Sequence, residues 1–543
     1  MNALKGTGRL LRLQLRLDRV KLPLWIALTV GLIYVTIEQL RTAYDSAEQV
    51  LLYASTTAPS VVTRLLGGAL TGPSIGEITI TESFLLVALM VCLVNIFLVV
   101  RHTRKNEEEG RTEIIGSLVV GRQAGLTSTL LLAAGVNILF TMGFVATYAA
   151  SDLPIEGALL YSVGIGLMGM FFACVAAVTA QLFENSRSAS GVVSIIFALA
   201  YLLRGIGDAF GNLRESGLGV ESSFLSYFSP LGWVTNARPF SDSEQPWLLG
   251  LFVAGIAILT VIAYVLSSRR DVGGSTFQSR PGKAHASTML LRRLGLVWRL
   301  NRVAFISWLL AMMVMGATIG AVADEFDELI AGNDQMRQML EAIGGGGDVT
   351  DIMFAATFAI TGIALAGYGL QIISRLQTEE TSGRLELLLS TPLSRIGWIA
   401  QYIVFAAISS AFILYASGFT SGVVYGMIAG DVWYHAFDLG GAIMAHAPAM
   451  MILIGFAVVL FGLLPRYFTP LVWTTLGACL LIYQLGTILN LPEWVVNVSP
   501  FSHTPFVPSD SLDATPLWIM SAVAAGLIAL GLALYRRRDL VTE

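Results

Sequence analysis

The chain has 543 residues, 55% of them apolar and only 13% charged, with a formal net charge of −4. A soluble domain carries about a quarter charged residues, so this composition excludes an ordinary soluble fold and points to a polytopic membrane protein. Cys92, Cys174 and Cys479 all fall inside apolar runs, which excludes a disulfide framework and leaves buried thiols.

In chain order, residues 1–22 interleave Lys5, Arg9, Arg12, Arg16, Arg19 and Lys21 with leucines, the pattern of an amphipathic helix lying in the membrane interface. This basic stretch leads into a run long enough to span, so it reads as the approach to a first membrane helix and not as a cleavable signal. The next five membrane helices are predicted with it at 23–41, 83–101, 123–149, 157–183, 189–207 and 247–267. A second set follows at 303–322, 353–373, 398–425, 437–463, 467–489 and 515–535. Each has about 20 residues or more, enough to cross about 30 Å of hydrocarbon. Most of the 33 Lys and Arg fall at the N-terminus, after even-numbered spans and at the C-terminus, which places both termini in the cytoplasm.

The outer segments 208–246 and 490–514 share Ser229-Pro230 and Ser499-Pro500 landmarks and carry aromatic residues. Short helices dipping into the outer leaflet and ordered loops with aromatic anchors both fit them. Residues 268–302 join the halves through Gly273-Gly274-Ser275 and Pro281-Gly282, then a second leucine- and arginine-rich segment, Met289 to Arg302. Ser268-Arg269-Arg270-Asp271 before this linker is echoed by Arg536-Arg537-Arg538-Asp539 in the tail 536–543. Gly418, Gly422 and Gly426, spaced by four, predict a close helix contact. The predicted fold is all-α: 12 transmembrane helices in two fused six-helix repeats, 23–267 and 303–535.

The strongest internal echo lies after the second span of each half. Glu107, Gly110, Arg111, Glu113, Ser117 and Arg122 match Glu380, Gly383, Arg384, Glu386, Ser390 and Arg395 at a common offset of 273 positions. Segments 104–122 and 376–395 therefore each predict a small charged helix on the cytoplasmic side. The glutamates before Gly-Arg are expected in the first turn of that helix, where the dipole favours them by about 0.3–1 kcal/mol each.

No chemistry of the chain's own is written beside these segments. None of the four lysines (Lys5, Lys21, Lys105, Lys283) follows a phosphate-binding loop. The five histidines (His102, His285, His435, His446, His503) make no metal-binding pair at helical spacing, and no intramembrane carboxylate pair marks a proton relay. Energy must then come from outside the chain or from an ion gradient, and two equivalent cytoplasmic plugs suit a two-fold nucleotide-driven motor. A secondary, ion-coupled 12-helix transporter is the alternative, and a lipid-modifying membrane enzyme would need a catalytic constellation that is missing.

The pattern Glu-x-x-Gly-Arg-x-Glu followed by Ser-x-Pro-x-Ser-Arg resembles the first cytoplasmic loop of type-2 ATP-binding-cassette (ABC) exporter permeases. The second half has the fuller version, with Glu379, Glu380, Gly383, Arg384, Glu386, Leu388, Ser390, Pro392, Ser394 and Arg395. The first half departs from it, with Val119 for the proline and Gly121 for the serine. The whole chain is similar to the drug and polyketide-antibiotic exporter permeases of actinobacteria. That resemblance implies docking of a separate ABC ATPase homodimer on Glu107, Gly110, Arg111, Glu113 and Arg122 and on Glu379, Glu380, Gly383, Arg384, Glu386, Ser390 and Arg395. It further implies that the partner holds ATP and Mg while this chain holds no cofactor and no nucleic acid, that the protein lies among the lipids of a bacterial cell membrane, and that it exports a small amphipathic substrate. The path implied lies between the second and fifth helices of each half. Its candidate wall is Phe84, Asn95, Phe97, Phe197 and Tyr201 with Phe354, Thr357, Phe358, Thr361, Tyr368, Trp473 and Gln484, and the repeat sets Asn95 opposite Tyr368 in the alignment.

Overall fold

The apolar runs form helices in a computed structural model that describes residues 3–117, 119–271, 294–331, 349–485 and 492–538, with 274, 275, 285, 287, 288 and 290 between the halves. For 62, 324–331, 349, 484 and 485 only the backbone is described. The chain divides into two compact units, Met1–Gly282 and Lys283–Glu543, with the boundary at the Pro281-Gly282 step of the expected linker.

The first unit opens with α1 (Thr7–Leu17), an amphipathic helix, and turns at Asp18 into α2 (Lys21–Ala43). Two short helices follow, α3 (Ala47–Thr57) and α4 (Val61–Leu66). The next helix, α5 (Ile75–Val100), starts eight residues before the predicted span. Ser74 and Glu77 form a capping box there: the Ser74 hydroxyl accepts from the Glu77 amide and the Glu77 carboxylate accepts from the Ser74 amide, both at 3.2 Å. Polarity hid this start, because Glu77, Thr79, Thr81 and Ser83 are buried inside the unit. At its other end α5 runs on through a π turn, Arg101–Lys105, to Glu108. The unit continues with α6 (Arg111–Gly116), α7 (Ala124–Ala150), α8 (Ile155–Leu182), α9 (Ser186–Ala209), α10 (Pro230–Thr235) and α11 (Leu249–Arg269). A two-residue hairpin, β1 (Asn212–Leu213) with β2 (Val220–Glu221), is the one sheet among the described residues. Its core gathers on α5 and α8, with Phe84, Phe140, Phe144 and Phe172 fully buried.

The second unit is described from α12 (Gly295–Ala331), already helical at Gly295 and unbroken through the seventh expected span. The separate interfacial helix expected at 289–302 thus merges with that span from Gly295, and most of its start lies outside the described residues. Then come α13 (Val349–Thr381), α14 (Arg384–Leu389), α15 (Arg395–Ala429), α16 (Val432–Ala442), α17 (Ala447–Leu463), α18 (Phe468–Leu485), α19 (Glu493–Val496) and α20 (Ala514–Arg537). The tenth expected span is α16 and α17 joined by a 3₁₀ turn, Ile443–His446. Pro448, in the first turn of α17, lacks an amide to continue the α ladder. The glycine triplet packs as its spacing predicts: a Cβ on Gly418, Gly422 or Gly426 would come within 2.6 Å of α16 backbone or the Ile443 side chain. On another face of α15, Gly316 and Gly320 of α12 sit against the carbonyls of Ser417 and Ser421.

Among the described residues, eleven helices are long and apolar enough to cross a membrane. Of the remaining expected span, 467–489, α18 covers 468–485 in 18 residues, about 27 Å at 1.5 Å per residue, and 486–489 lie outside the described residues. Both outer segments carry short helices: Ser229 caps α10 with Pro230 in its first turn, and a 3₁₀ turn, Pro500–His503, follows Ser499. Phe224, Phe228 and Trp494 stand exposed on them.

Candidate functional site

Each half turns a sharp corner after its second span, and the two corners have the same backbone. Gly110 has φ 70° and ψ 0°, and Gly383 has φ 71° and ψ −1°. This left-handed conformation costs an L-residue about 1–2 kcal/mol, and glycine adopts it freely. It stops the long helix and starts a six-residue one, α6 or α14. Ser117 and Ser390 close these short helices alike, their hydroxyls donating to the carbonyls of Ile114 and Leu387 at 2.7 and 2.8 Å.

The glutamates before the glycine lie in the last turns of α5 and α13, not in the first turn of the short helix as the sequence predicts. Only Glu113 and Glu386 occupy that first turn. A carboxylate at a helix C-terminus faces the negative end of the dipole, and arginines offset it here. Glu107 is held by Arg104 (2.7 Å) and, through both oxygens, by Arg270 (2.8 and 2.5 Å). Both oxygens of Glu380 accept from Arg538. Arg270 and Arg538 come from the matching Arg-Arg-Asp endings of the two halves. The loop arginines join the same clamp: Arg122 donates to the Arg270 carbonyl at 2.7 Å, and Arg395 to the Arg538 carbonyl at 3.4 Å. Arg538 also stacks on Phe461 and Tyr535, 4.9 and 5.2 Å from their ring centres.

The expected docking residues thus separate by direction. Glu107, Glu380, Arg122 and Arg395 tie each corner to the last helix of its own half. Glu379 is buried beside Arg375 (3.9 Å) and reaches Arg384 at 3.5 Å. Arg111, Glu113, Arg384, Glu386 and Ser390 are exposed. So are Ile114 and Leu387, 71% and 74% accessible, which stand one residue past Glu113 and Glu386. Sequence reasoning passed over this apolar pair, although the 273-residue offset relates Ile114 to Leu387 as it does the charges. It also read the Arg-Arg-Asp endings as marks of duplication, when they are the clamps.

Most candidate wall residues are interior to their own units. Phe84, Asn95 and Phe197 are buried in the first, and Phe354, Phe358, Thr361 and Tyr368 in the second. Thr357 is half-buried and bonds its own helix, while Phe97 and Trp473 are exposed. The side chain of Gln484 lies outside the described residues. Asn95 and Asn137 exchange amide hydrogen bonds at 3.0 and 2.8 Å, bolting α5 to α7. At the matching place the Tyr368 hydroxyl donates to Ser409 at 3.0 Å, bolting α13 to α15. Tyr201 donates to the Leu66 carbonyl and stacks under Arg204, whose guanidinium is 4.7 Å from its ring centre. Arg204 is fully buried, donates to the carbonyls of Leu65, Leu66 and Gly67, and lies 3.4 Å from the buried Asp208. In the sequence the only sign of this pair is its i,i+4 spacing.

Comparison with known proteins adds the lineage. Residues 290–536 match the family described as "Multidrug efflux system permease Rv1217c, C-terminal domain". The chain is also similar to the multidrug efflux system permease protein Rv1217c of Mycobacterium tuberculosis (strain ATCC 25618 / H37Rv). The two are 37% identical over 539 residues, which cover 98% of this chain and 95% of that relative. With its apolar helices, this multi-pass protein of the cell membrane belongs to the family of multidrug efflux system permeases.

Proposed function

We propose that this chain is the membrane subunit of an ATP-driven ABC exporter of small, amphipathic, largely apolar compounds, and that a separate ATPase homodimer grips its two corners from the cytoplasm. The observation that carries the reading is the duplicated corner itself. Two glycines with matching dihedrals each aim an exposed apolar residue, Ile114 or Leu387, flanked by Arg111 and Glu113 or by Arg384 and Glu386. An apolar anchor ringed by charges is the composition of an interface hot spot. The clamps Glu107–Arg270 and Glu380–Arg538 would make each corner a rigid lever, passing a push on the anchor to the second and last spans of its half. ATP and Mg would be bound by the partner, and this chain would contribute no catalytic group. Similarity to a multidrug efflux system permease protein supports drug efflux as the direction and substrate class.

Reconstitution tests this. Reconstituted with a cognate ABC ATPase, the chain should drive ATP-dependent uptake of a lipophilic dye into inside-out vesicles. Uptake by the chain alone under a proton gradient, with no ATPase present, would overturn the proposal in favour of a secondary carrier.

A further inference from the structure

The first 22 residues carry positive charge that the protein itself does not neutralise. Lys5, Arg9, Arg12, Arg16, Arg19 and Lys21 are all exposed, and their side chains make no hydrogen bond or ion pair among the described residues. Asp18, the one acidic residue of this stretch, is buried and spent on Arg101 and His102. At about 3.6 residues per turn, Arg9, Arg12 and Arg16 share one face of α1. The opposite face holds Gln14, buried against Ser128 and Thr129 of α7. Leu13 and Leu17 on one flank of the arginine face, and Leu15 on the other, are exposed. The next helix sets the depth of these groups in the bilayer. Lys21, Leu24, Trp25 and Leu28 share an exposed face of α2. Tryptophan marks the membrane–water boundary and the leucines beyond it the hydrocarbon, so Lys21, Arg19 and the adjoining end of α1 lie level with the phosphates.

Unpaired guanidinium groups with exposed leucines on either side fit an anionic lipid, whose phosphate meets the cations and whose chains meet the leucines. A soluble polyanion would use the cations and leave the leucines in water. We propose that α1 and the turn into α2 bind anionic phospholipids of the cytoplasmic leaflet, and that this binding seats the first corner. The seating contacts lie at both ends of α1. Before it, the amides of Gly121 and Gln123, in the loop that follows α6, donate to the carbonyls of Lys5 and Ala3 at 2.8 and 3.1 Å. After it, Asp18 holds Arg101 and His102 in the π turn at the end of α5. The helix thus bridges both shoulders of the corner, and a lipid that fixes α1 at the bilayer surface fixes them together. The inference concerns lipid and the corner's order alone, and stands whether or not an ATPase docks there.

The test titrates the delipidated full chain in detergent with phosphatidylglycerol or phosphatidylcholine and counts bound lipid by native mass spectrometry. Phosphatidylglycerol should bind about tenfold more tightly or better, because each cation near an anionic lipid adds to the attraction. Changing Arg9, Arg12 and Arg16 together to Gln should remove most of that preference, and changing them together to Lys should keep it. Arg536→Gln with Arg537→Gln, which removes two exposed cations of α20, should change it little. In nanodiscs, hydrogen exchange of the peptide that holds the Gly121 and Gln123 amides should slow when phosphatidylglycerol replaces part of the phosphatidylcholine. Equal affinity for the two lipids, or as large a loss from the α20 variant or the lysine variant as from the glutamine variant, would overturn the binding. Exchange at that peptide indifferent to lipid charge would overturn the seating. If the glutamine variant fails to fold, the comparison of the two lipids on the unaltered chain still decides.

Discussion

Two buried polar pairs decide how individual residues work here. Asn95 and Asn137 satisfy one another fully, each also donating to the carbonyl four residues earlier in its own helix. Interhelical hydrogen bonds in membranes average about 0.6 kcal/mol and reach about 1.7. A double-mutant cycle with Asn95→Ala and Asn137→Ala, read by denaturant unfolding in detergent, should therefore give a coupling near the upper figure; additive losses would show that the bolt carries nothing. Arg204 and Asp208 set a higher stake, because removing one partner strands a buried charge at a cost of about 3–5 kcal/mol. Arg204→Met should strongly lower the thermal midpoint, and Arg204→Met with Asp208→Leu should recover much of it. Equal loss in single and double variants would mean that the carbonyl bonds to Leu65, Leu66 and Gly67, not the ion pair, dominate. The Arg204–Asp208 pair stood in the sequence as an i,i+4 spacing of opposite charges and went unread, whereas the asparagine pair left no local sign. Asn95 was singled out as a path residue from its place in an apolar run, but its partner lies 42 positions away and no local pattern points to it.

At the scale of the element, the corner is where local sequence spoke most clearly. The positive φ of Gly110 and Gly383 follows from Gly alone in a run of helix formers, and the 273-residue offset located both. What the offset did not reveal is which side of the glycine the acidic residues serve, because a Glu-rich run suits a helix start by dipole and a helix end only if cations arrive from elsewhere. Those cations arrive from Arg270 and Arg538, each more than 150 residues away. The spans were legible for the same reason in reverse, since apolar length is a local property; the early start of α5 was not, because Thr and Glu buried against protein look like loop residues. Gly383→Ala meets no atom within 4 Å, so its effect is backbone strain alone. It should cost about 1–2 kcal/mol and weaken retention of the ATPase on co-purification, while Gly383→Asn, which tolerates the left-handed region better, should retain more. Equal retention by Gly383→Ala and the unaltered chain would show that the corner angle is not what the partner reads.

For the whole molecule, the proposed docking raises the question of whether the two halves are equal as levers. Their corners share dihedrals, serine caps, glutamate–arginine clamps and an exposed apolar residue, yet their surroundings differ. The second carries Leu387, Pro392 and Ser394, the last capping α15 through its hydroxyl at 3.1 Å from the Gly397 amide. The first carries Ile114, Val119 and Gly121 in those places and has a cavity of about 380 Å³ behind it, where the second has a more open cleft lined by Glu386, Leu389, Ser390, Leu393, Ser394 and Arg395. A corner braced by a capped helix start transmits force with less give than one backed by a void, so the second should bear more of the grip. Leu387→Asp buries a carboxylate in any apolar pocket that receives it, and Ile114→Asp does the same on the other side. If the anchors dock, each variant should release the ATPase on co-purification while the membrane part keeps its elution profile. Leu387→Asp should do so at least about tenfold more, a difference of about 1.4 kcal/mol in binding. Equal release would make the halves interchangeable levers despite their differing surroundings, and no release from either would remove the apolar pair from the interface and leave Arg111 and Arg384 as the groups to test.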